Sequence, residues 1–172
     1  MPNGATYSLG GNEVVVSEDG FPWVLRLPQG WEVDVSGAQD GAVVARDSEA
    51  ESHGFHPNLT LMSSPLPEGF TRVSIGEVFA DQEVVDQTYA NGLDSYRLIH
   101  LSEEHMGVHE EPAVYRLAMY LTPERIPVTM AQFISRAAGA ETTLTATWAT
   151  ADSRWIGNSQ AIAFCLERTA NR

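Results

Sequence analysis

The residues best suited to chemistry in this chain are its histidines, and four of the five fall in two clusters beside carboxylates. His53 and His56 lie in "ESHGFHPN" near Glu51. His105 and His109 lie in "SEEHMGVHEE" among Glu103, Glu104, Glu110 and Glu111. Imidazole and carboxylate together suit zinc or another divalent ion. The spacing His105-x-x-x-His109 also matches a ligand pair on one helix face. However, Gly107 and Pro112 argue for a loop, and no glutamate follows the first histidine as in the zincin motif His-Glu-x-x-His. A solvated acidic hairpin loop is therefore expected, with no bound metal and no cofactor. A metal site on His105 and His109, and the metal-dependent hydrolase it would imply, is the minor alternative.

Other chemistry-bearing groups read the same way. Ser63 and Ser64 precede a proline, and no Gly-x-Ser-x-Gly elbow surrounds them. Cys165, the single cysteine, sits between Ile162 and Leu166 and reads as a packed thiol; Arg168 nearby is what a reactive reading would use. "SLGGNE" matches neither the P-loop nor the dinucleotide fingerprint. Asp81, Glu83 and Asp86 read as a solvated helix face. Trp23, Trp31, Trp148 and Trp155 fall on inward positions and read as core. No catalytic residue is assigned.

Composition narrows the function classes. The chain has 172 residues, 43% hydrophobic and 19% charged, enough for one domain with a substantial core. Its net charge of −13 disfavours nucleic acid, whose phosphates select a basic surface. All ten basic residues are arginine, which fits a GC-rich coding bias such as that of actinobacteria. One cysteine forms no intramolecular disulfide, and no long apolar run suggests membrane insertion. A cytoplasmic protein is expected.

These residues need elements to position them. Residues 1–12, rich in Gly, Asn and Ser, are expected to be a flexible arm, and 13–172 a single domain. Alternation at Phe21, Trp23, Leu25 and Leu27, and at Trp31, Val33 and Val35, predicts two strands around a turn in which Gly30 permits a positive φ. "GAVVAR" is a third strand. Phe55, Pro57, Leu59 and Leu61 form one side of a fourth, with Pro57 at its start. Helical spacing of Ile75, Val78, Phe79, Val85 and Tyr89 predicts a helix over 72–90, stopped at Gly92. "DSYRLIHL", "AVYRLAMYL", "IPVTMAQFISRA" and "ETTLTATWA" form an antiparallel meander, their short connections favouring neighbours. A closing helix is expected from Asp152 or Ser153, its inward stripe Trp155, Ser159, Ile162 and Leu166. The order is that of an α+β fold: a central antiparallel sheet of about six or seven strands flanked by helices.

The meander strands divide into two expected faces. Tyr96, Leu98, Tyr115, Leu117, Met119, Val128, Met130, Ile134, Leu144, Ala146 and Trp148 are placed under a helix. Arg97, Ile99, Arg116, Ala118, Tyr120, Thr129, Ala131, Phe133, Ser135, Thr143, Thr145 and Thr147 form a smaller, hydroxylated face able to stay partly solvated or accept a partner.

"FPWVLRLPQGWEV", "GFHPNLTLMSSPLP", "GLDSYRLIHL", "PVTMAQFIS" and "ETTLTATWATADSRW", in that order from about Phe21 to Arg168, resemble the LpqN/LpqT-type actinobacterial proteins and, more distantly, the PsbP-like fold. That fold is shared with a Ran-binding import factor and with chaperones of type VI secretion effectors. The resemblance implies an α/β/α sandwich that binds rather than catalyses. Several LpqN-like members are lipoproteins; no cysteine near the start here matches their lipidation site. The expected function is a non-enzymatic protein-binding module, an adaptor or chaperone, docking a protein through Arg97, Arg116, Tyr120, Phe133 and Thr145, with a homodimer as a further option. The alternative is a carrier of a small or apolar ligand held between sheet and helices.

Overall fold

A computed structural model describes residues 5–9, 13–17, 23–28, 30–49, 51–107, 109–155 and 166–168. Strands β1 (Ala5–Leu9), β2 (Glu13–Ser17) and β3 (Trp23–Pro28) are followed by β4 (Trp31–Asp34), β5 (Ala42–Asp47) and β6 (Asn58–Pro65). Helix α1 (Ile75–Gly92) leads into β7 (Asp94–Met106), β8 (Glu111–Leu121), β9 (Pro127–Ala137) and β10 (Ala140–Ala149), and β11 (Leu166–Arg168) closes the chain. Seven strands form one antiparallel sheet in the order β4-β5-β6-β10-β9-β8-β7. Four form a second, β1-β2-β3-β11. The fold is α+β, with a central antiparallel sheet and a helix packed on it.

Two ends differ from expectation. Ala5–Leu9, inside the segment read as a flexible arm, pairs with β2 from Ala5↔Ser17 to Leu9↔Glu13. The Val14–Val16 run, a strong strand former, offers it a partner. The closing helix falls largely on 156–165, outside the described residues. Leu166, assigned to its stripe, instead pairs with Leu25 in β11.

Between the sheets lies the main core. Trp23, Leu25 and Leu27 of β3 pack with Val43, Leu59, Leu61, Tyr115, Phe133, Leu144 and Trp148. Each such side chain contributes roughly 1.5–3 kcal/mol through removal of apolar area from water. The Trp23 indole N–H donates to Thr142 Oγ1 at 3.1 Å, so its polar edge is satisfied. Of the face expected beneath a helix, Tyr115, Leu117, Leu144, Ala146 and Trp148 therefore face the second sheet instead.

Register explains the difference. β8, β9 and β10 align Tyr115 with Phe133 and Leu144, and Arg116 with Gln132 and Thr145. Phe133 thus belongs with the apolar set and not with Arg116. Val128 through Ser135 are all buried, so this central strand is covered on both faces and its pattern carries no phase. β7 contains register shifts between Asp94 and Arg97 and between Leu98 and His100. Each shift changes which side chains face which way. Arg97 consequently pairs with Met119, on the face opposite Arg116.

α1 lies over the other face of β7, β8 and β9. Ser74 caps it: its Oγ accepts from the Glu77 N–H while the Glu77 carboxylate accepts from the Ser74 N–H. Its C-terminal end passes the expected stop; Gly92 is the last helical residue, Leu93 is extended, and the left-handed residue is Ser95. Gly41 sets the start of β5 against β6. With φ +79°, an added Cβ there would lie 1.9 Å from the Ser63 carbonyl oxygen.

Replacing Leu144, fully buried at the centre of the main core, by Ala is expected to cost about 2–5 kcal/mol in urea denaturation. Gly41→Ala should also destabilise, through both backbone strain and the Ser63 clash; a loss of only a few tenths of a kcal/mol would contradict the close approach.

Candidate functional site

Arg116 is the centre of the interface between α1 and the sheet. It is 0% exposed. One guanidinium N–H donates to Gln132 Oε1 at 2.9 Å and another to the Gln82 carbonyl on α1 at 2.6 Å. The guanidinium carbon stands 5.1 Å from the centroid of the Tyr89 ring. Nε has no hydrogen-bond partner, but Asp86 Oδ1 lies 3.8 Å away. Asp86, read from the sequence as part of a solvated face, thus helps balance a buried charge; it also accepts from the Tyr96 hydroxyl. Gln132 Nε2 donates to Tyr89 Oη at 3.2 Å and to Thr145 Oγ1 at 3.1 Å. Burial, then the hydrogen bond to Asp86, raises the Tyr96 phenol above its ordinary range. Burial likewise raises Tyr120, against a hydrogen bond with Thr147.

The five residues expected to form a docking face are therefore dispersed. Arg97 is exposed on the Met119 side of β7. Arg116 is sealed beneath α1, and Phe133 is buried against Tyr115 with ring centroids 4.8 Å apart. Tyr120 and Thr145 remain half-buried on the α1 face. The histidines do not converge either. His105 is exposed within β7 rather than in a loop, and His109 is exposed in the turn after it. His56 Nδ1 lies 2.9 Å from the Asp47 carbonyl and Nε2 lies 3.8 Å from Glu51, bracing the turn before β6. Among the described residues no group of three or more His, Cys, Asp or Glu is placed to hold a metal. Cys165 lies outside the described residues.

What the sequence reading missed is on the same face as Thr145, further along the sheet. α1 makes its main sheet contacts with β7, β8 and β9; among the described residues no second α-helix packs over β10, β6, β5 and β4. There Met62 is 55% exposed and Val44 42% exposed. The register places them diagonally, through Ala42↔Met62 and Val44↔Thr60. Thr143, opposite Met62, and Thr145, opposite Thr60, extend the surface toward α1. The signal was legible in β-strand alternation: Val44 and Met62 are out of phase with the buried Val43 and Leu61.

A groove of about 560 Å³ borders this surface, between the start of α1 and the end of β6. Pro65, Leu66, Pro67, Phe70 and Ala80 supply its apolar walls. Arg136 spans it, bonded to Asp81 on α1 and Glu141 on β10. Partial burial opposes the Arg136 charge, but the hydrogen bonds to both carboxylates outweigh it and raise its pKa. The arrangement offers apolar contact, hydroxyls and carboxylates, which suits recognition. It presents no nucleophile paired with a base.

Removing Arg116 tests the buried network. Arg116→Ala is expected to cost about 3–5 kcal/mol, because Asp86 and the Gln82 carbonyl lose their partner. Asp86→Asn should cost less, since the ion pair is long and Asp86 reaches water. Tyr96 should stay protonated in the folded chain above the ordinary tyrosine value of about 10. Its contribution to stability is thus full below about pH 10 and is lost as pH rises through its raised folded pKa. Tyr96→Phe should remove that part of the alkaline fall; ultraviolet titration of the two chains gives the comparison.

No family model and no curated protein sequence matches the chain. Solved structures do. The cyanobacterial PsbP protein CyanoP of Synechocystis sp. PCC 6803 superposes with a TM-score of 0.63 at 17% identity, covering 97% of this chain and 99% of its own. LpqN of Mycobacterium tuberculosis, involved in cell envelope biogenesis, gives a TM-score of 0.59 at 13% identity, with 99% and 91% covered. A Pseudomonas aeruginosa protein of unknown function gives 0.52 at 13% identity, with 88% and 91% covered. At these identities the likeness concerns the fold, and the chain has the PsbP-like fold.

Proposed function

We propose that this chain is a non-enzymatic binding module, an adaptor or chaperone, that receives a protein partner on the open half of its seven-stranded sheet. The carrying observation is the pair Met62 and Val44, 55% and 42% exposed on a sheet face whose other half is sealed by α1. Apolar side chains grouped on an otherwise polar, acidic surface favour an interface over bare solvation. The fold likeness agrees with this reading without naming a partner, since one fold serves many functions.

The groove beside this face favours a second reading. Its volume of about 560 Å³ falls within the roughly 300–1,000 Å³ usual for small-molecule sites, and its walls are largely apolar. A carrier of a small apolar ligand would use it.

The double variant Val44→Asp, Met62→Arg is expected to unfold at nearly the wild-type urea concentration, because both side chains face solvent. In affinity capture from the native host it should lose the stoichiometric partner of the wild-type chain. A partner retained equally by both chains would place binding elsewhere. Native mass spectrometry of the purified wild type showing a small molecule bound in equal amount would favour the carrier.

A further inference from the structure

The open face is shaped for one kind of occupant. Beyond the strands under α1, the sheet continues through β10, β6, β5 and β4. At about 4.8 Å between strands this is a shelf roughly 15 Å across. Helices pack about 8–10 Å apart and are about 10 Å in diameter, so the shelf accepts one helix beside α1.

An extended segment is a poor fit there. Laid on a sheet face, it finds no ladder partner for its N–H and C=O groups, and it would take an edge strand instead. A helix satisfies its own backbone groups and needs only an apolar stripe. The short side chains of Thr60, Thr143 and Thr145 let a helix approach closely, while Met62 and Val44 supply apolar contact. Phe70, 58% exposed, stands at the groove end near the start of α1.

Charge selects the sequence of that helix. Glu32 and Asp34 lie on β4, Glu77 and Asp81 on α1, and Glu141 on β10. Two guanidiniums on this rim are already paired, Arg46 with Glu32, and Arg136 with Asp81 and Glu141; Arg72 stands near the start of α1, and the acidic groups still outnumber the basic ones. The rim is therefore net negative, on a chain whose net charge is −13.

We propose that the occupant is an amphipathic helix of the partner protein, with an apolar stripe flanked by Lys or Arg, lying on the sheet beside α1. This deepens the binding-module reading and rests on it. Apolar burial holds the helix, and its basic flanks face the acidic rim on both sides.

The full chain can be titrated with a labelled helix-forming peptide of roughly five turns carrying a leucine stripe flanked by lysines. Two controls accompany it: the same peptide with Glu for Lys, and a scrambled Lys peptide without a stripe. The striped Lys peptide is expected to bind at least about tenfold more tightly than either control. Met62→Arg should weaken it by about tenfold or more. Ile99→Arg, at a position 52% exposed on β7 at the far edge of the sheet, should leave it unchanged. Equal binding of the scrambled peptide would reduce the effect to bulk charge and overturn the proposal, as would indifference to Met62→Arg. If no peptide binds while the natural partner is still lost with Met62→Arg, the helical occupant is wrong and the docking face stands. If capture of the natural partner ignores Met62→Arg, the docking face itself falls.

Discussion

The placement of α1 depends on one buried cation. Arg116 enters the space between helix and sheet with no exposed surface and takes its partners from both layers: Gln132 on β9 and the Gln82 carbonyl on α1. A charge withdrawn from water this far is costly unless its donors are used and a counter-charge is near. Asp86 supplies the counter-charge, and Tyr89 covers the guanidinium face. An apolar helix–sheet contact would tolerate sliding; this network ties the helix to the Arg116–Gln132–Thr145 row. The helix is thereby held toward the β7 side, and among the described residues the β10–β4 side is left without such cover.

That asymmetry links the fold to the functional reading. One face of the seven-stranded sheet is closed by the second sheet, through Trp23, Leu25 and Leu27 against Leu59, Leu61, Phe133 and Leu144. The other is half closed. Apolar residues retained on the open half, Met62 and Val44, realise only about half of the stability that full burial would bring. On the proposed reading, the remainder is gained when another molecule covers them. The long edge strand β7 is a different matter: its two register shifts and its charged side chains are the devices by which natural sheets discourage edge pairing.

Much of the architecture was legible because residue types alternate where the two faces of a strand differ. β10 alternates over 141–146 and β8 sets Arg116 between Tyr115 and Leu117, so their relative phase, Tyr115 with Leu144 and Arg116 with Thr145, was readable. β9 hides its phase because both of its faces are buried, so its residue pattern groups Phe133 with Arg116 while the register separates them. β7 hides its phase because register shifts insert steps that no alternation rule anticipates, so alternation groups Arg97 with Arg116 while the register pairs it with Met119. The Ser74–Glu77 capping box was present in the sequence and marks the helix start more sharply than the hydrophobic stripe did. Of the residues expected to bind, Thr145 borders the open face. Met62 and Val44 are legible as outward-facing but not as a site, because an exposed apolar residue in a strand is ordinary until the absence of a covering helix, among the described residues, gives it meaning.

On the proposed reading, a partner covers the open half of the sheet. Methyl NMR spectra of the chain with and without its co-purified partner test this most directly, because methyl groups report local burial without altering the surface. The Met62 and Val44 methyl signals are expected to shift on binding while those of the main core, such as Leu144, stay in place. Unmoved Met62 and Val44 signals beside shifted Leu98 and Ile99 signals would put the partner on the β7 edge and contradict that reading.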